Sequence, residues 1–306
     1  MRIVFFGTPE FAVPALTALV DSKQTVVGVF TQPDKPKNRG MKLLPTPVKE
    51  YAVTHDIPVY QPKTLRDGTA LEILQQLDPE LILVAAYGKI LPKEILGLPA
   101  KGCVNIHSSL LPKYRGAAPI NWAILNGEDY TGVTLMYMAE GLDTGDIIAW
   151  EKTDISLDED AAQLRDRLAK LGAKLLIETL PDLEAGTVQA IPQDDALACY
   201  APMLSKDLSP INWNGSARQI HDQVRGLIPW PSAVTALGGV RCKVWKTALS
   251  GECSGKAPGS VVQADRHGLK IACGDGEVLE LLEIQPEGKK RMTASAFLAG
   301  HPIPVT

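Results

Sequence analysis

The sequence predicts an α/β protein in which a doubly wound, mostly parallel sheet is followed by a small β-barrel. Three observations carry this. Apolar strand patterns alternate with helical ones along the N-terminal part, which is the signature of βαβ units. Short β-rich runs at close spacing fill residues 233–284, as in a small barrel. Between them the charge changes sign. Residues 1–205 hold 19 Lys and Arg against 26 Asp and Glu, a net of −7, whereas residues 206–306 hold 12 against 9, a net of +3. The expected division is therefore a catalytic domain over 1–190, a linker over 191–205 and a C-terminal domain over 206–306.

In order, the strand Arg2–Phe6 runs into the turn Gly7-Thr8-Pro9-Glu10-Phe11 and a helical pattern through Ala15, Leu16, Leu19 and Val20. A second strand, Thr25–Thr31, closes the first βαβ unit. The turn has one glycine where a dinucleotide fold shows GxGxxG, so the close backbone approach to a pyrophosphate is missing and a nicotinamide cofactor is not expected. Gln32–Pro47 carries four prolines and the basic Lys35, Lys37, Arg39 and Lys42, and reads as a long charged loop without periodicity. Strands follow at Val59-Tyr60, Leu81–Ala86, Gly102–His107, Val133–Met138 and Ile147–Trp150, with helices at Leu71–Leu77 and Ile120–Leu125. Ser156-Leu157-Asp158-Glu159 has capping-box spacing before a helix whose apolar stripe is Leu164, Leu168, Leu171 and Leu175. Beyond the linker come a helix at Ala217–Leu227 and short strands at Ala233–Leu237, Cys242–Trp245, Val261–Ala264, Leu269–Ala272 and Val278–Ile284. A last helix is expected near Ser295–Ala299.

Bulk properties exclude several classes. A chain with 45% apolar and 22% charged residues is neither disordered nor fibrous. Its five cysteines are odd in number, widely spaced and free of CxxC, which argues against a disulfide framework or a zinc site and for a reducing compartment. No signal-peptide pattern is visible, and no apolar run reaches the ~20 residues of a membrane helix. The expectation is a cytoplasmic protein without membrane or metal.

The polar residues that stand out lie at strand ends. Asn105 and His107 sit two residues apart on one strand, so their side chains share a face. That strand breaks at Ser108-Ser109, and the carboxyl ends of strands are where open α/β sheets place their ligands. Asp143 lies in the turn Glu140-Gly141-Leu142-Asp143-Thr144-Gly145-Asp146, where acids often do no more than stabilise the turn.

Asn105-Ile106-His107, Ser109-Leu110-Leu111-Pro112 and Leu142-Asp143-Thr144-Gly145 together resemble the folate-dependent formyltransferases. Three further stretches resemble the tRNA-acting members of that family in particular, Phe6–Phe11, Thr31–Lys49 and Tyr114–Ile120, and Leu227-Ile228-Pro229-Trp230-Pro231 is similar to a stretch that recurs in the family. The likeness covers essentially the whole chain and shows no departure at Asn105, His107 and Asp143. It implies transfer of a formyl group from 10-formyltetrahydrofolate, a co-substrate, to the α-amine of methionine on initiator methionyl-tRNA.

The residues suit that chemistry. An amine attacking a formyl carbon builds negative charge on oxygen and must lose a proton. Asn105 and His107 can donate to the oxygen, and Asp143 can accept the proton. For folate, the walls implied are Ser109, Leu110, Leu111 and Pro112 with Tyr87, Gly88, Lys89, Ile90 and Leu91. For tRNA, the resemblance points to Arg39, with Lys37 and Lys42 beside it on the loop. It also implies an OB-like C-terminal fold, where Lys206, Arg218, Lys243 and Lys246 are the candidate contacts. A monomer is expected. The rival substrate is a small amine nucleotide, which would need neither the basic loop nor the basic C-terminal domain. A purely binding protein would not need the titratable pair.

Overall fold

The computed structural model describes residues 1–37 and 42–306. Arg39 therefore lies outside the described residues, as do the side chains of Lys37 and Lys42.

The chain forms two compact units. One comprises Met1–Gly116, Thr131–Thr153 and Arg165–Tyr200; the other comprises Ala117–Tyr130, Asp154–Leu164 and Ala201–Thr306. Two short segments from the middle of the sequence thus pack with its C-terminal part.

The first unit is built on a seven-stranded sheet. Edge to edge its strands are Ile147–Asp154, Tyr130–Tyr137, Cys103–His107, Leu81–Ala85, Arg2–Gly7, Thr25–Phe30 and Val59–Tyr60. The pairings from Cys103–His107 to Val59–Tyr60 are parallel, and Tyr130–Tyr137 joins antiparallel. The strand order reverses on either side of Arg2–Gly7, so this is the doubly wound sheet expected, with its ligand crevice at the strands' carboxyl ends. Leu81–Ala85 and Cys103–His107 are buried at every position, as continuous strands covered on both faces must be. One face packs Phe6, Phe30, Leu74, Ile82 and Val84 into a core in which the Phe6 and Phe30 rings stack at 4.5 Å. Each such side chain contributes roughly 1.5–3 kcal/mol.

The helix Ala161–Ala185 approaches Cys103–His107 closely. A Cβ at its Gly172 would lie 2.7 Å from Ile106 Cγ2, so only glycine allows this contact behind the strand that carries Asn105 and His107. Its start corrects the sequence reading. Asp160 Oδ1 accepts from Ala162 N and Gln163 N, both at 2.9 Å, and Gln163 Oε1 accepts from Asp160 N at 3.0 Å. The reciprocal cap is Asp160 with Gln163, four residues beyond the expected Ser156 and Glu159. Leu164, Leu168 and Leu175 are buried as expected, while Leu171 is only half-buried.

Gln32–Pro47 also departs from expectation. Lys35–Lys37 pairs antiparallel with Lys42–Leu44, and a helix, Pro47–Thr54, follows with Thr46 as its N-cap. Pro47 at the first helical position and the Thr46 hydroxyl accepting from Lys49 N were the signals for it.

In the second unit, Ala233–Leu237, Val240–Cys253, Glu277–Pro286, Gly268–Ala272 and Val261–Asp265 pair in that order, antiparallel throughout, with Met292–Thr293 added to Glu277–Pro286. The helix Ala217–Gly226 supplies Ala217, Ile220 and Val224 to the core of this sheet. A small antiparallel C-terminal domain is thus as expected. Among the described residues no helix is long and apolar enough to cross a membrane. All five cysteines are free, and burial pushes the Cys103 thiol up to about 12.

Candidate active site

The site begins with strand pleating. Asn105 faces Met136 across the sheet and His107 faces Thr134, and alternation sends both side chains to one side. Both are nearly buried. Asn105 is flanked on its other side by Val84, and its side-chain amide takes no protein partner among the described residues.

His107 is held in one orientation. Its Nε2 lies 2.9 Å from the Tyr114 carbonyl oxygen. A carbonyl only accepts, so Nε2 carries a hydrogen and Nδ1 is the nitrogen left to face the site. Nδ1 is 3.7 Å from Asp143 Oδ2. The same Oδ2 accepts from Gly116 N at 2.8 Å. Asp143 sits at φ 53°, in the left-handed region, where the short acid side chains are among the few that are tolerated. Two residues on, a Cβ at Gly145 would come within 1.7 Å of the Tyr137 carbonyl oxygen, so the turn passes directly over that backbone and requires glycine there.

The Ser109–Pro112 turn is fixed by Thr134. Its hydroxyl donates to the Ser109 carbonyl at 2.7 Å and accepts from Leu111 N at 3.1 Å. Ser109 Oγ donates to the Lys113 carbonyl at 2.6 Å and is fully buried, so it shapes the turn. Leu111 is buried, while Leu110 and Pro112 are half-buried, with Leu110 resting over Gly132.

The second expected wall follows Leu81–Ala85. Tyr87 and Leu91 belong to the buried core. Among the described residues the Tyr87 hydroxyl has no partner, and burial raises its pKa to about 12. Ile90 is 71% exposed and Gly88 is exposed, so the accessible part of this loop is Gly88–Ile90. Lys89 Nζ donates to the carbonyls of Pro62 and Lys63, at 2.7 and 2.8 Å; burial, then the charge of Lys35, lowers its pKa. The loop is held from behind by residues the sequence reading did not assign. Thr8 Oγ1 donates to the Tyr87 carbonyl, and Gln32 Nε2 donates to the carbonyls of Tyr87 and Gly88. Gln61 ties Gln32 to Asp34, and Lys49 donates to Asp34 at 2.6 Å. The hydrogen bonds from Lys49 and Gln61 hold the Asp34 carboxyl below its ordinary range. Thr8, Gln32 and Asp34 all lie in stretches whose motif is visible in the sequence, but their partners are not: distant backbone carbonyls for Thr8 and Gln32, and the Lys49 and Gln61 side chains for Asp34.

Of the expected tRNA contacts, Lys206 and Lys243 line a cavity of about 380 Å³ in the second unit, together with Trp230 and Arg241. Trp230 is half exposed. Lys243 also lies over the Trp245 ring, 5.7 Å from its centroid. Lys246 is exposed on the same strand. Arg218 donates to the buried Asp222 carboxylate at 2.7 Å, so much of its charge is spent within the fold. Among the described residues, no cluster of His, Cys, Asp and Glu is placed to hold a metal.

A sheet with its crevice at a reversal of strand order, holding an amide, an imidazole and a carboxylate together, defines an enzyme for acyl-type transfer. Residues 1–180 match the formyl transferase family and residues 203–302 match the formyl transferase C-terminal domain; the chain belongs to this family. It is 50% identical to the methionyl-tRNA formyltransferase of Trichlorobacter lovleyi, over 99% of this chain and 95% of that protein. It is 52% identical to the protein of the same name from Pelobacter propionicus, over 98% and 93%. Among solved structures, an N-formyltransferase from Helicobacter canadensis, in complex with folinic acid and dTDP-3-aminofucose, shares the fold with a TM-score of 0.72 at 21% identity, over 92% and 98% of the two chains. HypX from Aquifex aeolicus in complex with tetrahydrofolic acid does so with a TM-score of 0.65 at 18% identity; this chain is covered to 98% but spans 47% of HypX.

Proposed function

We propose that the protein formylates the α-amine of methionine on initiator methionyl-tRNA, using 10-formyltetrahydrofolate as donor, in the cytoplasm at the start of translation. The observation that carries this reading is the relatives' identity of about half along nearly the full length of both chains. It extends through both family regions, 1–180 and 203–302, rather than the catalytic part alone.

The chemistry follows from the site. The methionine nitrogen forms a bond to the formyl carbon, and the carbonyl π pair moves onto oxygen. Asn105 donates its uncommitted amide to that oxygen; one such donor is worth about 3–4 kcal/mol in favourable sites. With Nε2 tied to Tyr114, His107 can donate to the same oxygen only through Nδ1, and only when the ring carries both protons. Asp143 Oδ2 stands 3.7 Å from Nδ1. Asp143 takes the proton from the attacking nitrogen and returns one to N10 of the folate as the C–N10 bond breaks, so the carboxylate ends as it began.

The folate lies between the Ser109–Pro112 turn and the Gly88–Ile90 stretch. Arg39, with Lys37 and Lys42, takes the acceptor end of the tRNA, as paired donors suit phosphate or base edges. The C-terminal sheet acts as an OB-like module that holds the tRNA backbone through Lys206, Lys243 and Lys246, with Arg218 at its margin. The functional division is 1–190, 191–205 and 206–306, and the working form is a monomer.

The test is formyl transfer to initiator methionyl-tRNA, with free methionine and a small amine nucleotide run in parallel. Transfer to the charged tRNA alone is expected. Transfer confined to the small amine would move the protein to a different branch of the family and remove the tRNA roles.

A further inference from the structure

Tyr114 and Gly116, on either side of Arg115, each hold one member of the reactive pair. The Tyr114 carbonyl fixes His107 and the Gly116 N–H fixes the Asp143 carboxylate. Arg115, between them, points elsewhere. Its side chain is 3% exposed, and its Nε and Nη2 both donate to Gln193 Oε1, at 3.0 and 2.8 Å. Nη2 also reaches Asp195 Oδ1 at 2.8 Å. With its oxygen saturated by a guanidinium, the Gln193 amide can turn only its NH2 toward the Asp143 turn. That NH2 donates to the carbonyls of Asp143 at 2.9 Å and Gly145 at 2.7 Å. The strand-like segment around Arg115 is tied to the same stretch, Arg115 N donating to the Cys199 carbonyl at 2.9 Å.

We propose that Gln193, oriented by Arg115, is a positioning residue for the formyl transfer: it holds the backbone of the Asp143 turn so that the carboxylate stays against His107 while its second oxygen meets the attacking amine. The inference rests on the reading of Asp143 as proton acceptor. Burying an arginine against a neutral amide is costly, because the guanidinium carries its desolvation without a fully buried counter-charge; Asp195, its acid partner, is 83% exposed, and what the arrangement secures is the fixed orientation of the amide. The left-handed Asp143 and the crowded Gly145 make the turn one that needs such a clamp. Gln193 touches no reacting atom in this scheme.

The test is Gln193→Glu, which keeps the shape and the bond to Arg115 but replaces the donating NH2 with an oxygen facing two carbonyls. Gln193→Met, which removes both functions at similar volume, serves as a second variant should the first fail to fold. Turnover per folded molecule is expected to fall about tenfold to a hundredfold, the loss a misplacement near 1 Å produces, with KM for both substrates little changed. In an Asp143→Asn background, single-turnover rates should show no further loss on adding either variant, because a positioning residue acts only through the group it positions. Unchanged turnover in both variants, or the same fold loss with and without Asp143, would overturn the proposal. Full turnover of Asp143→Asn alone would instead overturn the proton-acceptor reading, so the two failures are distinct. Arg115→Lys, which keeps one donor to Gln193, should retain more turnover than Arg115→Ala.

Discussion

Both units bury an arginine beside an acid and a histidine, and they use them oppositely. In the first unit the Arg115 side chain reaches the Asp143 turn through Gln193, and the histidine and acid stand 3.7 Å apart, close but not bonded. In the second unit Asp222 is clamped at 2.7 Å by both Arg218 and Arg225. His221 there uses both ring nitrogens, with Nδ1 on Thr247 Oγ1 at 2.8 Å and Nε2 on the Leu157 carbonyl at 3.0 Å. Arg225 also donates to the carbonyls of Ser156 and Glu159, so this cluster pins the 154–164 segment to the helix Ala217–Gly226. In the second cluster all of these polar groups are paired except Arg225 Nη2, which is buried without a partner among the described residues, and the cluster's role is to hold structure; in the first, the histidine and acid are left close but unbonded.

The sharpest way to break that contrast is to remove the charge on each side. Asp143→Asn keeps an oxygen for Gly116 N–H but cannot take a proton. Turnover should fall by roughly a hundredfold to ten-thousandfold, while folate affinity by calorimetry and the urea midpoint stay close to wild type. A variant that lost stability and kept its turnover per folded molecule would place Asp143 with the structural cluster.

Asp222→Ala should do the reverse. It strands two guanidinium groups, one of them buried, and breaking a buried pair in this way costs about 3–5 kcal/mol. Urea denaturation of the full chain measures this, and turnover per folded molecule should hold. A cost under about 1 kcal/mol, the level of a surface pair, would mean the cluster does not secure the 154–164 segment.

The first of these sites was largely legible in the sequence and the second was not. Asn105 and His107 needed only the period of two along a strand, and the sheet's order needed only apolar runs alternating with helices. Asp143 is singled out by the resemblance of Leu142-Asp143-Thr144-Gly145 to the family, since an acid in a glycine-rich turn by itself reads as a turn stabiliser. Gln193 had no local signal: it lies 50 residues from the turn it holds, inside a stretch that reads as a linker because it lacks periodicity. The Gln32–Pro47 stretch misled for a related reason. A two-stranded ribbon of three residues per strand is too short to show alternation, and its prolines mask what pattern there is. His221, Asp222 and Arg225 crowd one helix turn, where charges ordinarily mean a solvated face; only the tertiary fold shows that Ser156, Leu157 and Glu159 cover them.

The smallest effect separates the two histidines by pH. Burial lowers the pKa of His221 from its ordinary 6.5, Arg225 adds to this, and the Leu157 carbonyl, Asp222 and Asp158 oppose it. The folded protein therefore favours the neutral ring, while the unfolded chain takes up a proton near 6.5. Below that pH the unfolded state binds more protons, so this contribution is fully present above about 6.5 and is lost as pH falls toward the folded value. One group supplies a slope of at most about 1.4 kcal/mol per pH unit. Urea midpoints at pH 7.5 and pH 5.5 should draw closer together in His221→Gln than in wild type. A difference unchanged by the substitution would mean that the ring can be protonated in place, with the Thr247 hydroxyl rotating to accept from it. The tight cluster would then be as adaptable as the site in the other unit.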